Sequence, residues 1–249
     1  MAGHSKWKQI KRKKAVTDQR RGAAFTKLIK EITVAARHGG GDPAGNARLR
    51  AAIDAARQGN MPYDNIERAI KKGTGELEGV NYEEVIYEGY GPGGAAIMMQ
   101  VTSDNLNRTV ADIRHLFSRY GGNLGSPNSV AWMFDKKGQI YLDASRYDED
   151  AALEAALDAG ADDLTREGDQ FIITTEPTAL HHVQDALRAK GLELAEAEIA
   201  LTPKSTVTVH GADAEKLLKL MEALEEHDDV SKVFSNFDID AETMAAVGG

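Results

Sequence analysis

Eight basic side chains crowd the start of the chain: Lys6, Lys8, Lys11, Arg12, Lys13, Lys14, Arg20 and Arg21. Such density repels itself unless it is solvated or meets an array of phosphates, whose condensed counterions are released on binding. Trp7 stands between Lys6 and Lys8. An indole there can stack on a base or sugar, as in single-strand binders, or act as a packing anchor. Further bases follow at Lys27, Lys30, Arg37, Arg48, Arg50, Arg57, Arg68, Lys71 and Lys72, most of them off the apolar stripes. The pattern points to nucleic-acid binding, with a solvated charged face as the plainer alternative.

Other motifs offer less. Gly89 to Gly94, GYGPGG, has the glycine content of a phosphate cradle, but the segment after it is strand-like. A cradle needs a helix N-terminus there, so a tight strand connection is the expectation. In Asp104–Thr109, DNLNRT, Asp104 can cap a helix. Asn105, Asn107 and Arg108 either belong to that helix start or face a partner. The seven histidines lack HxxxH and HExxH spacing, so no metal site is expected. Acid pairs such as Asp162–Asp163 and Asp228–Asp229 fall at turn signals, where solvation is the usual reason. GxSxG and Walker sequences are absent, and so are cysteines. Thiol catalysis, disulfides and Cys-based zinc or iron–sulfur sites are thereby excluded, and no cofactor or catalytic residue is expected.

The positions of these bases divide the chain electrostatically. Residues 1–72 hold 17 Lys or Arg against 6 Asp or Glu, a net +11, whereas the remainder carries −20. The first part should seek a polyanion and the second repel one. Its 249 residues allow one large domain or two to three small ones. No apolar run reaches membrane-spanning length, and the basic N-terminus lacks the apolar core of a signal peptide. A cytoplasmic protein without a membrane partner is expected.

Three helices should carry the first set of bases. Thr17 or Asp18 can cap one running to about His38, with Phe25, Leu28, Ile29, Ile32 and Ala36 in a stripe. Asp42–Pro43 supplies a cap for a second, with Leu49, Ile53 and Ala56 inward; Pro62 opens a third, which Gly73 ends. Two strands joined by GPGG follow, then a helix with Leu106, Val110, Ile113 and Phe117 inward. Ser129–Phe134 suggests a strand and DKKG a loop. From Gln139 to Leu201 the order β-α-β-β-α-β is the ferredoxin-like pattern, with Leu153, Ala156 and Leu157 inward on its first helix. A strand, helix and strand over 206–236 complete a second α/β unit. The tail from Ala241 shows no packing pattern. The expected fold is α+β: a basic arm and three-helix domain over 1–78, then two ferredoxin-like α/β domains. One of these is discontinuous over 79–135 plus 205–240, and the other, 136–204, is inserted into it.

Several stretches together resemble the YebC/PmpR family. They are MAGHSKW, Arg21–Gly22, Phe25–Lys27 and Lys30–Ile32, then GGGDPAGNARLRAAI, MPYDNIERAIKKG, YEGYGPGG, DNLNRT and GGNLG. One departure is Asn128, where a glycine is expected before Ser129–Val130. The resemblance implies an N-terminal helical domain followed by two α/β domains. It also implies a DNA-binding transcriptional regulator, or a translation factor of the kind that relieves stalled ribosomes or activates mitochondrial translation. The expected function is a nucleic-acid-binding regulator without catalysis, its partner DNA and/or ribosomal RNA, with the ribosome itself as an alternative target. A small-ligand sensor ranks lower, on fold analogy alone.

Overall fold

The computed structural model describes residues 18–239, with side chains from residue 22 onward. The arm with Lys6, Trp7, Lys8 and Lys11–Lys14, the Arg20 and Arg21 side chains, and the tail lie outside the described residues.

Helices α1 (Asp18–Gly39), α2 (Ala47–Gln58) and α3 (Tyr63–Thr74) form the first unit. Ile32, Ala35 and Ala36 of α1 pack on Leu49, Ile53 and Ala56 of α2 and on Ile66 and Ala69 of α3. Two expected boundaries move. The cap of α2 is Asn46 rather than Asp42: its Oδ1 accepts from Leu49 N at 3.0 Å while its Nδ2 donates to the carbonyls of Ala35 and Gly40. A side chain that fixes both α2 and the end of α1 wins over the Asp42 turn, whose Oδ1 takes only Ala44 N. Gly73 is not the stop of α3. It lies inside the helix, where a Cβ would collide with the Thr33 carbonyl and Ala36, and Gly75 at φ +85° makes the left-handed cap.

The second unit contains β1 (Glu83–Tyr90), β2 (Ala96–Ser103), α4 (Leu106–Arg119) and β3 (Asn123–Leu124). The third contains β4 (Phe134–Asp143), α5 (Glu149–Asp158), β5 (Asp163–Glu167), β6 (Gln170–Thr175), α6 (Leu180–Ala189) and β7 (Glu196–Pro203). The chain then returns through β8 (Val207–Val209), α7 (Gly211–Glu226), β9 (Val230–Ser235) and β10 (Phe237–Ile239). The outer sheet has the order β3-β1-β2-β9 and the inserted sheet β5-β6-β4-β7; β8 and β10 form a separate parallel pair.

The inserted unit is ferredoxin-like in both chain order and strand pairing. The outer sheet reaches the same spatial arrangement by another chain order, because β1 precedes the β2–α4–β3 crossover that straddles it. Ile97, Met99 and Val101 of β2 face α4 and α7 through Ile113, Phe117, Leu217 and Leu220. Ala96 and Met98, on the opposite side of β2, pack against Val130, Phe134, Ala200 and Phe234. Burial on both faces explains why this strand reads as a nearly continuous apolar run.

Three local expectations change. DKKG is not a loop: β4 runs through it, because Phe134 to Tyr141 pairs residue by residue with β7. In the expected strand Ser129–Phe134 only Phe134 is extended, as the first residue of β4; the rest is a loop ending in a 3-10 turn over Ala131–Met133. On α5, Ala152 and Ala156 are buried while Leu157 is exposed. Asn128, the departure noted in the sequence, has φ +67°, a left-handed conformation that asparagine tolerates better than most non-glycine residues. The GPGG segment is the tight connection expected. Its glycines at 91 and 93 lie against Leu217 and Val209, leaving no cradle.

Candidate nucleic-acid interface

The bases of the helical unit separate into two sets. The first is engaged by the α/β body. Lys30, only 8% exposed, projects from α1 off its apolar stripe. Its Nζ donates to Asp229 Oδ1 at 2.5 Å and to the carbonyls of Asp228 at 3.0 Å and Thr102 at 3.3 Å. The three donors of the ammonium are therefore all used. The other oxygen of Asp229 accepts from Thr109 Oγ1 at 2.6 Å, Arg108 Nη2 at 2.9 Å and Ser103 Oγ at 3.2 Å. Burial alone pushes the Asp229 carboxyl up. The hydrogen bonds from Lys30, Thr109 and Arg108 outweigh it and hold the group well below the usual carboxylate range.

Three further bases join the same set. Lys27 Nζ donates to the Glu225 carbonyl and Arg37 Nη2 to that of Val80. Arg48 reaches both carboxylates of a clamp, with Nε and Nη2 on Glu31 at 2.7 and 3.0 Å and Nη1 and Nη2 on Glu84 at 3.0 and 2.6 Å. Forked pairing of this kind raises the guanidinium and lowers Glu84. Because β1 supplies Glu84 and the turn just before β9 supplies Asp229, the helical unit is bound to the α/β body at two charged points.

The second set is exposed. Arg50 and Arg68 hold no ion pair among the described residues, nor does half-exposed Lys72. Arg57 is 3.9 Å from Asp54 on its own helix, and Lys71 is 2.7 Å from Glu67 on its own helix, which raises the Lys71 ammonium. Exposed pairs within one helix are weak and exchange readily for another anion. A groove of about 470 Å³ runs between α2 and α3, with Tyr63, Ile66 and Ile70 in its lining. Asp42, Glu67 and Glu76 there outnumber Arg57 and Lys71, so it is no phosphate pocket.

Among the sequence candidates, Lys30 is thus removed from the surface, and the DNLNRT motif is largely absorbed by structure. Asn105 Oδ1 caps α4 by accepting from Arg108 N, Arg108 joins Asp104 to Asp229, and Asn107 remains exposed. Asn105, not Asp104, is the cap. Sequence reasoning missed Asp229, Glu84 and Glu31. Asp228–Asp229 looked like a solvated turn, yet Asp229 is 4% exposed. Its partner Lys30 lies 199 positions away, beyond any local signal. No group of three or more His, Asp or Glu suited to a metal occurs among the described residues.

Comparison with known proteins covers nearly the whole chain. Residues 5–76 match the model described as the TACO1/YebC protein N-terminal domain, and residues 82–237 that of the TACO1/YebC second and third domain. A probable transcriptional regulatory protein of Gemmatimonas aurantiaca is 60% identical, with 98% of this chain and 99% of that protein covered. One from Geobacter sulfurreducens is 54% identical, with 98% of each covered. The crystal structure of a conserved hypothetical protein from Aquifex aeolicus superposes with a TM-score of 0.85 at 48% identity, covering 92% of this chain and 94% of the other.

Proposed function

The chain belongs to the TACO1/YebC family, and on that premise we propose that it is a cytoplasmic nucleic-acid-binding regulator of gene expression that performs no catalysis. The observation that carries this is the second set of bases: Arg50, Arg57, Arg68, Lys71 and Lys72 are exposed or half-exposed on two short helices, within a part of the chain that is net +11. Phosphates supply the matching array. The names of the relatives support a regulatory role. We place the division of labour at the expected limits, with binding in 1–78 and support from 79–135, 205–240 and the inserted 136–204. Separate apolar clusters in the three units favour that division.

The bound nucleic acid is read mainly through its phosphates. Asn46, the amide at the start of α2, would be a candidate for reading base edges, but it is fully engaged in capping. That favours RNA on the ribosome as a second target beside promoter DNA, because duplex regulators need base-edge contacts for discrimination. Titration of the full chain against duplex promoter DNA, random duplex and purified ribosomes in parallel tests this. Strongly salt-dependent binding with less than about tenfold preference among duplexes is expected. Promoter binding about a thousandfold above random DNA would return the protein to sequence-specific transcription control, and no binding to any of the three would end the proposal.

A further inference from the structure

Trp132 is 66% exposed, an unusual setting for the largest apolar side chain. Its surroundings hold it there firmly. The carboxylate of Glu88 is itself buried, and it accepts the backbone N–H groups of Asn128, Val130 and Ala131 at 2.7, 2.8 and 2.9 Å. The Ser129 carbonyl accepts both Tyr90 O–H at 2.9 Å and Trp132 Nε1–H at 3.1 Å. Asn128 adopts its left-handed backbone inside this loop. A buried carboxylate and a left-handed asparagine thus hold a rigid loop, and the polar edge of the indole is tied down. What remains available is the indole's aromatic surface.

The neighbourhood suits an anionic, flat partner. Lys204 N donates to the carbonyl of Met133, next to the indole, and its half-exposed ammonium is only 3.4 Å from Asp135. Lys136 is exposed and holds no ion pair among the described residues. The loop residues Ser126, Pro127 and Asn128 are exposed and mostly polar. An isolated ring in a polar rim, with Lys204 bonded through its backbone to Met133 and Lys136 four positions along the chain, matches a single base and its phosphate better than an apolar protein patch.

We propose that Trp132 is a stacking platform for an unpaired nucleobase of bound RNA. This rests on the proposed nucleic-acid function: the helical unit holds phosphates, and the Trp132 loop selects for a strand whose bases are free to leave the stack.

The chain has two tryptophans, so in the Trp7→Phe variant all indole emission comes from Trp132. The probe is an RNA hairpin with an unpaired loop, and a fully paired DNA duplex is the control. In that variant the hairpin should quench the emission and the duplex should not. With Trp7 intact, Trp132→Ala should weaken hairpin binding about tenfold and leave duplex binding within about twofold, while Trp132→Phe recovers most of the affinity. Thermal melting of each variant shows whether the loop remains folded. Hairpin binding with unmoved emission, or with full affinity in Trp132→Ala, overturns the platform while nucleic-acid binding stands. Equal weakening on hairpin and duplex also overturns it. Failure of the parent chain to bind either probe defeats the functional proposal on which it rests.

Discussion

Lys30 and Arg50 lie on adjacent helices of the same unit and carry the same formal charge, yet the structure uses them oppositely. Lys30 is buried against Asp229 with every donor used, whereas Arg50 stands in solvent without an ion pair among the described residues. Arg48, two residues before Arg50, again turns inward to Glu31 and Glu84. A charge count over 1–72 treats all of these as one surface. The fold divides them into a joint that binds the acidic body and a remainder free for phosphates.

Breaking the joint should have the largest effect. Lys30→Met leaves the buried Asp229 with Arg108 as its remaining charged partner beside the Thr109 and Ser103 hydroxyls, and removal of one partner of a buried pair costs about 3–5 kcal/mol. Denaturant unfolding should show it, and the double change Lys30→Met/Asp229→Leu should recover much of the stability. Acid acts on the same pair. The folded Asp229 carboxyl lies below its unfolded value of about 3.9. Its contribution is therefore complete above that value and is lost as pH falls through the lower folded one. The stability difference between the parent and Asp229→Asn should stay flat from about pH 7 to about 5 and shrink below about pH 4. A difference that grows on acidification would reverse the expected sign. Arg48→Ala opens the more exposed clamp and should cost about 1 kcal/mol or less in the same assay. Arg50→Ala and Arg68→Ala should change stability by under about 0.5 kcal/mol.

Much of the architecture was legible from periodicity. The stripes Ile32–Ala36, Ile113–Phe117 and Leu180–Val183–Leu187 are buried where the spacing places them. Local competition explains the misplaced boundaries. Asn46 prevails over Asp42 by satisfying three partners, Gly73 serves a close approach of two helices, and β4 extends through DKKG because β7 pairs along it. The candidate interface was less legible. A basic residue looks the same in sequence whether it will be buried or solvated, and Lys30 and Asp229 are 199 positions apart. The exposure of Trp132 was also invisible, since Ser129–Phe134 reads as a strand and an apolar residue within a strand is ordinarily counted toward the core.

The most direct test of the division between the two sets is the salt dependence of duplex DNA binding by the full chain. Alanine at Arg50, Arg57, Arg68 and Lys72 should flatten the slope of log affinity against log salt by up to about 0.9 for each phosphate that is no longer neutralised. Alanine at Lys27, Arg37 and Arg48 should leave the slope nearly unchanged. A slope that flattens for the second group and not for the first would place the nucleic acid on the joint and contradict the division.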